Sequence, residues 1–428
     1  DGELGKVFIR PEENFVGRAL VWDEPEKSGI GMKMKIKWLE GKQEKALFLS
    51  NDYLNFQVGD VIRAECFLKN PQKIEDWNYP LNLASQGIYQ LCQKGKAERI
   101  EVFEKIKTDL TWRDRARLGF LRQSYAWRKK VEEKIYLRLP FPESGFLAGL
   151  LLGGDDRLDE GTQEVFRRAG VSHLVAVSGY NISLLGTFLM WAAFLLGFWR
   201  SQAFWLALAG IIFFVFSIGS PASAVRAAVM GGLVLYAGKN GRLADSFRVL
   251  VLAGAVMLWF SPLMLFYDAG FQLSFLATLS LVSLYASWAR KMGVEKDFLE
   301  LKSILLTTLA AQVGVLGLLV FSFHSLSVVS LLANVLILPL IPWLTLGVFL
   351  LVFLEFFWPL GAGIFSAWLW LGLRWEIAVA EFLAGWSWAE IEIEGLGVFW
   401  LVGYYLFFWL WVWFSKNSFL LAKKAEKE

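Results

Sequence analysis

From about residue 174 to the C-terminus, apolar stretches close to bilayer-spanning length follow one another, each broken by glycine, proline or charge. A chain built this way must satisfy its backbone inside helices or a closed barrel, so a polytopic helical domain is the expected fold for this half. The stretches fall near residues 174–196, 203–218, 222–238, 247–265, 270–289, 303–322, 326–354, 361–383 and 396–415, about nine spans. The seventh is interrupted by Pro339 and Pro342 after Asn334, which predicts two half-helices or a re-entrant pair. Charge divides the chain at the same place. Residues 1–170 hold 29 basic and 27 acidic side chains, whereas residues 171–428 hold 14 and 13. A purely cytosolic enzyme, a disordered tail and a disulfide-rich mini-domain are thereby excluded.

The charged half reads as a small β domain followed by basic helices. Val7–Arg10, Phe15–Trp22, Ile30–Trp38, Lys45–Leu49 and Val61–Leu68 are short strands between turn-rich stretches. In the third, Met32, Met34, Ile36 and Trp38 share one face and Lys33, Lys35 and Lys37 the other. Five such strands suit a closed barrel of OB type. Such a barrel could bind single strands with Lys33, Lys35, Lys37 and the aromatics Trp22 and Trp38. The alternative is that the aromatics are core and the lysines a solvated face. Cys66 and Cys92 could form a disulfide worth on the order of 3 kcal/mol outside the cytoplasm, or remain two thiols. Residues 111–139 predict an amphipathic helix opened by Thr111 and Asp114. Between Lys105 and Arg138, eleven basic residues stand against four acidic ones, interleaved with aromatics. Such a helix lies in the headgroup plane, tracks phosphates at a pore mouth, or does both. The expected organisation is a barrel over 1–104, interfacial helices over 105–172 and a transmembrane domain over 173–428.

Basic residues gather after the first, third, fifth and ninth stretches, and the loop before the ninth carries Glu390, Glu392 and Glu394. The positive-inside rule then puts the C-terminus in the cytoplasm and residues 1–172 outside it. The chain opens at Asp1 without a signal pattern, so trimming of an N-terminal piece is expected. Two histidines and two cysteines leave no expected metal site or cofactor.

Arg226 lies mid-helix in Pro221-Ala-Ser-Ala-Val-Arg-Ala-Ala-Val-Met230. A cation at the centre of a span costs about 2.5–3.5 kcal/mol and calls for a partner, a polar cavity or a function. An ion pair with Asp268 and contact with a phosphate are both open. Gly170 to Ser183 gathers His173, Ser178, Gly179, Tyr180, Asn181 and Ser183 at the start of the first stretch. A nucleophile elbow fails there because Ala176 stands where glycine is needed, so close helix packing or a break lining a cavity is the better reading.

His173-Leu-Val-Ala-Val-Ser-Gly-Tyr-Asn-Ile-Ser-Leu-Leu185 resembles the signature of the ComEC competence family, the membrane channel of bacterial DNA uptake. So do Pro221–Ser223 with Val225-Arg-Ala-Ala228, Asp268-Ala-Gly-Phe-Gln-Leu-Ser-Phe-Leu276, and more loosely Asn334 to Pro339. Trp77 to Tyr89 looks like the end of that family's external OB domain. The resemblance implies an inner-membrane channel, not an enzyme, that passes single-stranded DNA to the cytoplasm. Its implied partners are DNA, the bilayer, an external DNA receptor, a cytoplasmic motor ATPase and a separate nuclease. The metallo-β-lactamase-like domain of many members is not matched, since no H-x-H-x-D-H occurs, and no P-loop supplies a motor. Arg226 is the expected phosphate contact. His173, Ser178, Gly179, Tyr180, Asn181, Pro221, Ser223, Asp268, Gln272 and Asn334 are expected to line or shape the path. The alternatives are a secondary transporter of an anionic small or lipid-linked solute, and a membrane hydrolase using Ser178 and His173.

Overall fold

A computed structural model of the chain describes residues 12–28, 31–39, 45–52, 56–72, 79–101, 111–154, 157–175, 179–241, 244–292, 301–393 and 395–425. The expected strand Val7–Arg10 lies outside them, as do Trp77 and part of the basic loops. The chain divides into two compact units. One comprises 1–132, 208–225 and 255–268, the other 133–207, 226–254 and 269–428.

In the first unit, period-2 alternation builds the barrel. Its strands are β1 (Glu13–Val21), β2 (Glu26–Ser28), β3 (Gly31–Trp38), β4 (Lys45–Ser50), β5 (Val61–Lys69) and, after the short helix α1 (Tyr79–Ser85), β6 (Ile88–Glu101). Around the sheet the order is β1-β5-β6-β4-β3, with β1 pairing β3 to close it and β2 appended to β3. All pairings are antiparallel except β4 with β6. A five-stranded closed Greek-key barrel of this kind is the OB architecture. Met32, Met34, Ile36 and Trp38 point inward with Phe48, Ile62, Cys66 and Cys92. Cys66 and Cys92 are joined by a disulfide, Cα–Cα 5.4 Å.

The long helix α2 (Trp112–Arg138) follows, and the Thr111 hydroxyl accepts from the Asp114 N–H at 3.2 Å. Leu118, Leu121 and Tyr125 seal a second barrel core with Leu20, Trp22, Val58 and Val61. The Tyr125 hydroxyl donates to Asp23 at 2.7 Å. The helix thus uses much of its apolar surface on protein, while Trp112 stays 73% exposed.

The helical region continues with α3 (Glu143–Leu152), α4 (Glu160–Ala169), α5 (Gly179–Leu195), α6 (Arg200–Ser217), α7 (Ala222–Lys239), α8 (Ser246–Phe260), α9 (Met264–Tyr267) and α10 (Ala269–Ser280). A π-helical turn, Leu281–Tyr285, joins α10 to α11 (Ala286–Met292). Then come α12 (Leu301–Phe323), β7 (Ser325–Ser327), α13 (Ser330–Ile337), α14 (Ile341–Phe357), α15 (Pro359–Ala384), β8 (Glu390–Glu392) and α16 (Val398–Ala425). Strands β7 and β8 form a two-stranded ribbon.

Among the described residues, three helical stretches are long and apolar enough to cross a membrane: Arg200–Ser217, Ala269–Ala289 and Lys302–Phe323. The pair α13 and α14, bent by 50°, makes a fourth if it is one span. That bend falls at Pro339 and Pro342, where proline removes ladder donors. Apolar helical stretches of 10–17 described residues are Glu143–Leu152, Asn181–Leu195, Ser246–Phe260 and Val398–Val412, the last being the first part of α16. Helices α7 and α15 have the length, but Arg226 and Lys239 in one, and Arg374, Glu376 and Glu381 in the other, lower their hydropathy.

Helix α4 shows how tightly its ends are specified. Asp159 caps it, accepting from the Thr162 N–H at 3.3 Å and the Thr162 hydroxyl at 2.6 Å. Gly170, at φ +73°, ends it in a left-handed turn in which the Gly170 and Val171 N–H groups return to Arg167 and Phe166. The Thr162 hydroxyl holds the Asp159 carboxyl below its ordinary range. A depressed carboxylate stabilises the fold above its unfolded value near pH ~4, and that stability is lost as pH falls through the lower folded value. Asp159→Ala is therefore expected to cost about 1 kcal/mol near neutral pH. Asp159→Asn keeps the cap and loses this share of acid sensitivity. Thermal midpoints of the three proteins from pH 7 to pH 3 measure both effects.

Candidate functional site

Arg226 organises the second unit's most unusual contact. Residues 222–239 form a helix that leaves Arg226 only 8% exposed. Its guanidinium donates to the Ser274 carbonyl and, at 2.9 Å, to the Thr278 hydroxyl. It also lies over the Phe275 ring, 5.8 Å from the centroid, within cation–π range. The Thr278 hydroxyl donates in turn to the Ser274 carbonyl at 2.9 Å. Helix α10, which supplies these groups, carries no acidic residue. Among the described residues the charge is therefore held by neutral dipoles and a ring face, and Nε has no hydrogen-bond partner.

Gly179 opens α5 at the same place. A Cβ there would lie 3.5 Å from Arg226 Nη2 and 3.6 Å from the Ala227 Cβ, ordinary contact distances. An alanine fits, and a longer side chain meets the guanidinium. Three sequence segments singled out separately, those holding Gly179, Arg226 and Ser274, thus converge on one cation.

The remaining expected residues are placed as follows. Asn181 is buried and its Nδ2 donates to the Leu150 carbonyl at 2.8 Å, which fixes α5 against α3. Gln272 is half-buried on α10, and Asp268 is half-buried immediately before that helix. Pro221 is exposed ahead of α7, Ser223 is half-buried within it, and His173 is exposed in a 3-10 turn. Asn334 is buried on α13 with its Oδ1 lacking a hydrogen-bond partner. Ser178 lies outside the described residues, as does the side chain of Tyr180.

On the barrel, Trp22 and Trp38 are 7% and 4% exposed. The expectation that they offer ring faces to bases is corrected: both indoles are core, Trp38 packed edge-on against Phe15 at 4.7 Å. The Trp22 ring instead faces cations. Lys37 Nζ lies 4.9 Å, Lys45 Nζ 5.2 Å and the Arg117 Cζ 4.2 Å from its centroid. Lys37 and Lys45 are direct cross-strand partners, an unfavourable pairing for like charges. Burial first, then Arg117, Lys35 and Lys37, lower the Lys45 ammonium below its ordinary value. Lys33, Lys35 and Lys37 pair with Glu26, Asp23 and Asp114 at 3.0, 3.3 and 3.3 Å.

Ser274 and Phe275 lie in the motif Asp268–Leu276 but were given no role from sequence, and Thr278 was missed, although Ser274 and Thr278 stand four apart on one helix face, the spacing that could have shown them. Reading the sequence also missed Lys45 and Arg117, whose meeting depends on strand register and on helix docking.

These features define a class: a membrane protein with a closed OB-like barrel and a helical region of several apolar helices, one carrying a buried cation held by dipoles. Residues 150–417 match the family model described as Competence protein, and the chain belongs to that family. It is 30% identical over 221 residues to the ComE operon protein 3 of Bacillus subtilis (strain 168), a match covering 50% of this chain and 27% of that protein. The match thus spans about a quarter of that relative's length. No solved structure matches the chain.

Thr278→Val is expected to leave the guanidinium one donor short of a partner and to cost about 1.5–3 kcal/mol, with Thr278→Ser close to the parent. Gly179→Ala is expected to be tolerated and Gly179→Leu to destabilise. Thermal unfolding in detergent ranks all four, and a harmless Thr278→Val contradicts this account of the contact.

Proposed function

We propose that the chain is an inner-membrane conduit passing single-stranded DNA into the cytoplasm during natural transformation. The observation that carries this reading is the Arg226 guanidinium, held by neutral dipoles where three segments meet. A carboxylate partner would neutralise the charge. A carbonyl, a hydroxyl and a ring orient it while leaving its attraction for anions intact. Each phosphate of a passing strand can then engage it briefly, and transport requires contacts that are weak and repeated. His173, Ser178, Tyr180, Asn181, Asp268, Gln272 and Asn334 shape the path in this reading. Family membership supports it, as does the name of the Bacillus relative.

On the barrel, the lysines and arginine around Trp22 supply a cationic surface suited to a phosphodiester backbone. Aromatic stacking plays no part there, so capture at this surface should depend on salt and little on base identity. The distribution of basic loops supports a barrel outside the cytoplasm and a C-terminus inside it. A receptor delivers the DNA, a separate nuclease removes one strand, and a cytoplasmic ATPase pulls the other.

Proteoliposomes containing the chain, offered labelled single strands or duplex, test the proposal. Single strands are expected to enter and duplex to be excluded. Arg226→Ala should reduce entry at least about tenfold while Arg226→Lys retains part of it, since lysine keeps the point charge and loses the fork. Equal entry by the Arg226→Ala protein, properly inserted, overturns the role of that residue. Entry of a small anionic solute but not DNA points to the transporter alternative.

A further inference from the structure

A second buried ionisable group lies in the region matched to the family and has no part in the reading above. Glu376, on the inner face of α15 between Leu373 and Ala380, is 1% exposed. Among the described residues, neither carboxyl oxygen has a hydrogen-bond partner. An ionised carboxylate in such a place costs several kcal/mol unless a cation or donors compensate it.

The charged groups around it are engaged elsewhere. Helix α15 packs against α3, α4, α13 and α14. On α15 itself, Arg374 pairs with Glu143 of α3 at 4.0 Å and with Glu381 at 3.6 Å. On α4, Arg167 is bonded to Glu164 and Glu390, Arg168 donates to the Trp386 carbonyl at 3.2 Å, and Glu160 is exposed. Helix α14 offers Glu355, which is held by Arg138 and, at 3.6 Å, by Lys134. Helix α13 has no charged residue. Its buried polar side chain Asn334 also has an Oδ1 without a partner, and so has the Thr308 Oγ1 on α12, which packs against α13. Three helices packed in succession, α12, α13 and α15, therefore each bury a polar atom that no donor or acceptor among the described residues satisfies. Buried polar groups are rarely left so without a functional reason.

We propose that Glu376 is a proton-binding site within the helical bundle, occupied by a proton in this packing and emptied only when the inner face of α15 meets water. Glu355 is the contrasting case in the same bundle. It is as deeply buried but flanked by two cations, Arg138 and Lys134. The two buried carboxyls thus differ in what surrounds them, one paired with cations and the other set among apolar side chains. The proposal concerns a proton and no nucleic acid, so it stands or falls apart from the conduit reading.

The test uses the full chain in detergent at neutral pH, with a hydrophobic carbodiimide, which consumes a carboxylic acid's proton as the carboxyl adds to it. Peptide mapping by mass spectrometry is expected to find the adduct at Glu376 and none at Glu355. In parallel, the infrared spectrum is expected to show a carboxylic C=O stretch that is lost in Glu376→Gln, whose circular dichroism should match the parent. Labelling at Glu355 but not Glu376, or a carbonyl band unchanged by Glu376→Gln, overturns the proposal. The labelling arm needs only the native chain, so a variant that fails to fold leaves the question decided.

Discussion

The helical region depends on one electrostatic arrangement, a guanidinium buried at Arg226 and held by the Ser274 carbonyl, the Thr278 hydroxyl and the Phe275 ring. In a medium of low dielectric, a charge without a counter-charge is costly, and only closely placed dipoles make it tolerable. That requirement explains features that otherwise look unrelated. Gly179 must be small because the guanidinium lies beside it. Ser274 and Thr278 must stand one helical turn apart because both meet the same group. An acidic residue on α10 would relieve the cost and also cancel the field that a passing anion can feel.

The barrel poses the same problem in a wetter setting. Lys37 and Lys45 face each other across β3 and β4, and Arg117 approaches from α2 over the Trp22 ring. Asp23 and Asp114 offset part of that charge. Within the first unit, the aromatic serves as a platform for cations, which is why its own indole is covered. The helical region therefore keeps its positive charge in place with a ring and neutral dipoles, and the barrel with a ring and carboxylates.

Much of this was legible in the sequence, for reasons that are local. The alternation of Met32, Met34, Ile36 and Trp38 with lysines reads directly as one buried and one outer face, and β3 has that pattern. Pro339 and Pro342 signal a break that the α13–α14 bend realises. Arg226 stands out because a cation within an apolar run has few explanations. What escaped depends on distant pairing. The spacing of Ser274 and Thr278 marks a shared helix face, but nothing local names Arg226, 48 and 52 positions away, as what meets it. Trp22 could not be assigned to core or surface until register and helix docking were known. Glu376 escaped for another reason: within α15 it stands beside Arg374 and before Glu381, and only the packing shows that Arg374 is engaged with Glu143 and Glu381.

The central claim is that a DNA strand passes the Arg226 contact. It is tested most directly by replacing Phe275, which lies under the guanidinium, with a photoreactive phenylalanine and illuminating the chain while single-stranded DNA is entering proteoliposomes. The account predicts a covalent adduct with single-stranded DNA, absent with duplex and reduced in the Arg226→Ala background. Entry of DNA without any adduct at position 275, while an equivalent probe at exposed Phe399 is photoactive and gives no DNA adduct, would contradict it.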